Sequence, residues 1–201
     1  MKIIKSSIIF LFLLIMTAGI VCAEDANQTV QDTLELTDTQ DVLSNASEKS
    51  YDDLSNEIKE SGDSITLESD YKFKETDKIK HIEFKKDYTI NGNNHVIDAD
   101  GKTVMFKVSK GTLTLKNLIL KNTKDTAIEL TGATLITENV TFMNTNASDY
   151  GGAVYCSGKS SYYSTNDKFI DNSAPESGSA IFGKDSNIII ENSTFTNKNP
   201  I

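Results

Sequence analysis

The 201-residue chain contains no arginine: all 20 of its basic residues are lysine, set against 29 acids and only two histidines. A chain of formal net charge -9 without a guanidinium has little with which to neutralise a phosphate backbone, so nucleic acid is excluded as a partner. Cysteine is equally scarce, with Cys22 and Cys156 alone. Long apolar runs are missing beyond the N-terminus, where Lys2 and Lys5 precede IIFLFLLIM and VCA stands before EDAN. That order predicts a secretory signal peptide over residues 1–23, cleaved after Ala23. The run is too short and too soon followed by acids for a retained anchor. Val21 stands where a lipoprotein signal carries a small residue before its cysteine, which argues against lipidation of Cys22. Cleavage removes Lys2 and Lys5 and no acid, taking the net charge from -9 to -11. It also leaves Cys156 with no disulfide partner in the chain, so stability is expected from packing.

Residues 24–49, EDANQTVQDTLELTDTQDVLSNASEK, are acidic and too poor in apolar residues to build a core, and are expected to be a disordered leader. The next segment, SYDDLSNEIKESG, places Ser50 three residues before Asp53, Leu54 and Ile58 one turn apart, and Gly62 at its end. These are the start, face and stop of a short amphipathic helix at about 50–61. Its place just before a repeat array predicts a capping role.

From residue 65 onward, short runs of Ile, Val, Leu, Thr and Phe alternate with Gly, Asn, Asp and Ser, a strand-and-turn composition. Asn94, Asn117, Asn139, Asn166 and Asn192 recur at spacings of 23, 22, 27 and 26 residues. Four residues before them stand Ile90, Leu113, Leu135, Tyr162 and Ile188; three residues after stand Ile97, Leu120, Phe142, Phe169 and Phe195. Twelve or thirteen residues before them Ile82, Met105, Ala127, Ala153 and Ala180 open short apolar runs. Such a period predicts a parallel β-solenoid of about five coils, in which equivalent positions stack about 4.8 Å apart. Leu113 and Leu115 are expected inside, with Thr112, Thr114 and Lys116 outside. The asparagines belong at turns, where they tolerate a left-handed backbone and can bond to the coils on either side.

The pairing of GGAV (151–154) and GSAI (178–181) with FIDN (169–172) resembles the repeats of chlamydial polymorphic outer-membrane autotransporters. DDLSNEIKESGDSITLESDYKF, DYTINGNNHVIDADG, LTLKNLILKN and ENVTFMN resemble still more the adhesin-like β-helix proteins of methanogenic archaea, over residues 50–201. This resemblance implies a right-handed parallel β-helix, secreted or held at the cell surface, that mediates adhesion; it identifies no receptor, and surface glycans or cell-surface proteins are the expected partners, with neither catalysis nor cofactor expected. Ending at TFTNKNPI, midway through a coil, the chain is expected to be truncated or to close its open last coil by end-to-end self-association.

Parallel β-helices also host polysaccharide lyases and hydrolases, so fold alone does not decide between binding and catalysis. Lyases of this kind usually use arginine, which is absent; hydrolases need clustered carboxylates. Asp98 and Asp100 in VIDADG come nearest and are expected to be solvated turn residues. His81 and His95 lack metal-ligand spacing. No catalytic, cofactor or metal residue is therefore assigned, and a passive surface coat or a non-functional remnant is the third reading. Lys107, Lys116, Lys121 and Glu129 are expected on the outer face. Asn27, Asn45, Asn139, Asn146 and Asn192 lie in glycosylation sequons, of which Asn139 and Asn192 should stay unmodified as turn residues. Cys156, in DYGGAVYCSG, falls in the column of Val108 and Leu130, so it is expected to act as a small buried apolar residue.

Overall fold

A computed structural model describes residues 48–102 and 104–197. The segment expected to be a signal peptide (1–23) and most of the one expected to be an acidic leader (24–49), with Cys22, Asn27, Asn45 and the last four residues, lie outside this range. Strand β1 (Lys49–Ser50) leads directly into helix α1 (Tyr51–Glu60). Ser50 is its N-cap: Asp53 N donates to Ser50 Oγ at 3.1 Å and Ser50 N to Asp53 Oδ2 at 2.9 Å, a reciprocal capping box. Tyr51, Leu54 and Ile58 form the buried face. Lys49, expected in the leader, belongs instead to the fold: it pairs with Tyr71 and reaches Glu57 at 2.9 Å.

Six turns follow, one more than the asparagine spacing predicts. The first comprises β2 (Ser64–Thr66) and β3 (Tyr71–Lys72); the second β4 (Ile82–Phe84), β5 (Tyr88–Asn91) and β6 (Val96–Asp98). Next come β7 (Phe106–Val108) with the long β8 (Thr112–Lys121), and β9 (Ile128–Thr131) with β10 (Thr134–Met143). The fifth turn is β11 (Val154–Ser157), β12 (Ser161–Thr165) and β13 (Lys168–Ile170); the sixth is β14 (Ile181–Gly183), β15 (Asn187–Glu191) and β16 (Thr194–Thr196). All strand pairs are parallel, in one sheet of eleven strands and a second of five ordered β14-β11-β9-β7-β4. This is a parallel β-helix, with each turn lying on the preceding one.

Burial follows the pleat: Leu113, Leu115, Leu118 and Leu120 are buried along β8, while Thr112, Thr114 and Lys116 are half-exposed. Leu113, Leu135, Tyr162 and Ile188 stack in register, as do Ile97, Leu120, Phe142, Phe169 and Phe195. The phenylalanine rings of that column lie parallel, with centroids 5.1 and 4.5 Å apart. The anchor asparagines all have left-handed φ, from 49° at Asn117 to 68° at Asn94.

Two register expectations need correction. Ile90 pairs with Leu115, and it is Tyr88 that opposes Leu113. Between Asn91 and Val96 the second turn carries two residues more than its neighbour does between Lys116 and Ile119, so the chain makes an extra tight turn at Gly92–His95, closed by His95 N donating to the Gly92 carbonyl at 2.8 Å, with Asn93 and Asn94 exposed. Gly92 is indispensable there, since a Cβ would stand 2.5 Å from the Asn117 carbonyl oxygen. Ile82 likewise pairs with Phe106, one residue on from Met105. Sequence spacing cannot reveal a local insertion when the columns on both sides remain apolar.

Helix α1 covers the N-terminal end of the core. Tyr51 O–H donates to the Met105 carbonyl and packs at 6.0 Å from Phe73, and Tyr88 O–H donates to the Ile58 carbonyl at 3.2 Å. Asp77 accepts from Tyr51 N at 3.1 Å and Asp52 accepts from Ile79 N at 2.9 Å, fastening the 74–79 loop to the helix start. At the opposite end Ile190 and Phe195 are exposed.

Candidate functional site

Outward positions of the five-stranded sheet form one column: Glu83, Lys107, Glu129, Tyr155 and Phe182, each opposite the next. Charge changes to aromatic along it. Lys107 Nζ meets Glu129 Oε2 at 2.7 Å, and the Tyr155 ring stacks on Phe182 at 5.8 Å with an interplanar angle of 13°. The loop before β11 folds back over this face and lays Tyr150 on the same Phe182 ring, at 4.6 Å.

That loop is held by backbone pairing. Tyr150 bridges to Ser177, Gly151 N donates to the Ser177 carbonyl at 3.2 Å, and Glu176 N donates to the Asp149 carbonyl at 3.0 Å. Gly151 has φ +61°, and a Cβ there would lie 2.5 Å from the Val154 carbonyl oxygen and 3.2 Å from Phe182 Cβ. Only glycine lets the chain turn this tightly and place Tyr150 beside Phe182.

The result is a cleft of about 270 Å³, lined by Tyr150, Tyr155, Asp125, Glu129, Asp149 and Lys107 among others. Three carboxylates and one ammonium give it a net negative charge. Each carboxylate has one oxygen engaged: Asp125 Oδ1 accepts from Thr126 N at 2.8 Å, Asp149 Oδ2 from Ser148 Oγ at 3.4 Å, and Glu129 Oε2 from Lys107. The cleft can therefore offer acceptor oxygens beside two aromatic rings, a combination suited to hydroxyl or ammonium donors with an apolar face. Sequence reading singled out Lys107 and Glu129 but missed Tyr150 and Tyr155. The signal was the alternation in β11, which sends Tyr155 outward wherever Val154 and Cys156 go inward.

Asp100 is the exposed turn residue expected, but Asp98 is not. Asp98 is 7% exposed, and its oxygens are taken by Asn122 Nδ2 at 3.0 Å, Asp100 N at 2.8 Å and Lys121 Nζ at 3.3 Å. Asp100 pairs with Lys72 at 3.1 Å, which pushes the Lys72 ammonium pKa up. Asp98 in fact ends a second asparagine ladder, in which Asn144 Nδ2 donates to Asn122 Oδ1 at 3.4 Å and Asn122 to Asp98. The first ladder runs in the same sense, from Asn139 to Asn117 at 2.9 Å and from Asn117 to Asn91 at 3.2 Å. Asn91 takes the place expected for Asn94 because of the extra tight turn at Gly92–His95.

His95 Nδ1 contacts Asp70 at 2.9 Å, whereas His81 is exposed beside β4. Among the described residues no group of three or more His, Cys, Asp or Glu is placed to hold a metal ion. Cys156 is fully buried opposite Leu130, and burial pushes its thiol up to about 12. Burial also raises the carboxyl of Asp167, outweighing the bonds donated by Ser164 Oγ at 2.6 Å, Thr137 Oγ1, and Val140 N at 2.7 Å. This acid is 1% exposed and enclosed within the fifth turn.

No family model, curated protein or solved structure matches the chain.

Proposed function

We propose that the protein is a secreted or cell-surface β-helix of the adhesin-like kind, which contacts glycans through the Tyr150–Tyr155 cleft and performs no catalysis. The observation that carries this reading is the cleft itself: two tyrosines held on one buttressing ring beside three carboxylates, on a stacked scaffold. A preformed aromatic and polar surface limits the ordering cost of binding.

The alternative is a polysaccharide lyase or hydrolase. Against it, both oxygens of Asp98 are already occupied by structural partners, and Asp167, the acid whose burial raises its pKa, is enclosed in the core. Neither is placed as a general acid facing substrate. The test is to apply the purified protein to immobilised cell-wall glycans and intact cells while assaying reducing-sugar release. Retention without sugar release is expected. Release that is lost in Asp125→Asn/Asp149→Asn, two acids that line the cleft, with an unchanged circular dichroism spectrum would establish an enzyme, and failure to bind any glycan or cell would favour a passive coat.

A further inference from the structure

Resting on the reading of the cleft as a glycan site, we infer that its ligand is a pyranose ring without negative charge, with amino sugars bound best and uronates or sialates refused. Charge and geometry both carry this. Asp125, Glu129 and Asp149 face a single lysine, Lys107, whose charge is spent on Glu129 at 2.7 Å. A carboxylate on the ligand would meet two uncompensated acids on a chain already at -9. A protonated amine meets those acids and two tyrosine faces, where cations are attracted by the ring quadrupole. A neutral sugar can lay its C–H face on a tyrosine and donate hydroxyls to the remaining carboxylate oxygens.

Size points the same way. The cleft, of about 270 Å³, opens to solvent, so it can seat one sugar unit while the rest of a glycan lies outside it. Tyr150 is 40% exposed, so its ring is accessible, and stacking on Phe182 fixes it before the ligand arrives.

The experiment compares methyl glucoside, glucosamine and glucuronate with the full chain by ligand-observed NMR titration at low salt. Glucosamine should bind at least threefold more tightly than the glucoside, and glucuronate at least tenfold more weakly. The spread should shrink as salt is raised, because exposed charges are screened. Tyr150→Ala removes an exposed ring and should weaken all three at least fivefold with an unchanged circular dichroism spectrum. Asp125→Asn/Asp149→Asn should narrow the gap between glucosamine and glucuronate to less than threefold. Glucuronate binding as well as the glucoside overturns the inference, as does full binding by Tyr150→Ala. If Tyr150→Ala still adheres to glycans or cells, the cleft assignment fails while the adhesin reading stands; if wild type binds no sugar, glycan or cell, both fail.

Discussion

Replacing Asn139 separates the two physical roles claimed for the asparagine ladder. Its backbone sits at φ 56°, and its Nδ2 donates to Asn117 Oδ1 at 2.9 Å. Alanine loses both advantages: a left-handed residue with a Cβ costs about 1–2 kcal/mol, and the lost hydrogen bond about 0.5–1.5 kcal/mol. Asn139 is solvent-exposed, so water replaces part of that bond and the low end applies. Asn139→Ala should therefore destabilise by about 2 kcal/mol. Glycine adopts the same φ without strain, and its added unfolded-state entropy is about 0.5–1 kcal/mol. Asn139→Gly should accordingly be about 1 kcal/mol milder than alanine. Equilibrium urea unfolding would measure this, followed by circular dichroism and by the emission of the seven tyrosines, which no tryptophan obscures. The two probes must coincide, because solenoids can unravel turn by turn. Glycine proving as damaging as alanine would refute the left-handed account, and silence from both variants would refute a stabilising ladder.

Three further outcomes are expected. Cys156 should react with thiol reagents far more slowly in the native state than in denaturant, since burial holds the thiol near 12 and so disfavours thiolate; rapid native labelling would contradict its inward position. For Asp167 the folded pKa lies above the unfolded one, so the folded state keeps its proton longer and stability falls as pH rises from the ordinary carboxylate value through the raised one. Asp167→Asn should flatten that fall, and an unchanged stability-versus-pH curve would show the carboxyl is not the cause. In a glycosylating host, mass spectrometry should find sugar on Asn146 and none on Asn139. Asn139 Nδ2 donates at 2.9 Å to its neighbour, whereas Asn146 Nδ2 makes only a 3.5 Å contact; an occupied Asn139 would overturn the ladder geometry.

The columns Leu113–Leu135–Tyr162 and Leu120–Phe142–Phe169 were legible because repetition at 22 and 27 residues leaves the same side chain facing inward on every turn. The capping helix was legible in Ser50 and Asp53, because a capping box is a local arrangement that four residues can specify. The second asparagine ladder was also written in the chain, five residues after each anchor at Asn122 and Asn144, though it took the structure to make it visible.

Other features depended on contacts that linear spacing does not encode. The insertion at Gly92–His95 shifted one turn by two residues without disturbing the columns beyond it, so Asn91 replaced Asn94 in the ladder. Asp98 and Lys121 come together because adjacent turns bring residues 23 positions apart side by side. The cleft depends likewise on stacking: Lys107, Glu129, Tyr155 and Phe182 belong to four successive turns, and a glycine turn brings Tyr150 over them. By itself the sequence determined the repeat, its inward faces and its helical cap, all of which follow from periodicity within a turn. Only the tertiary structure decided which outward residues share a surface, because the register between turns sets which side chains meet across 4.8 Å.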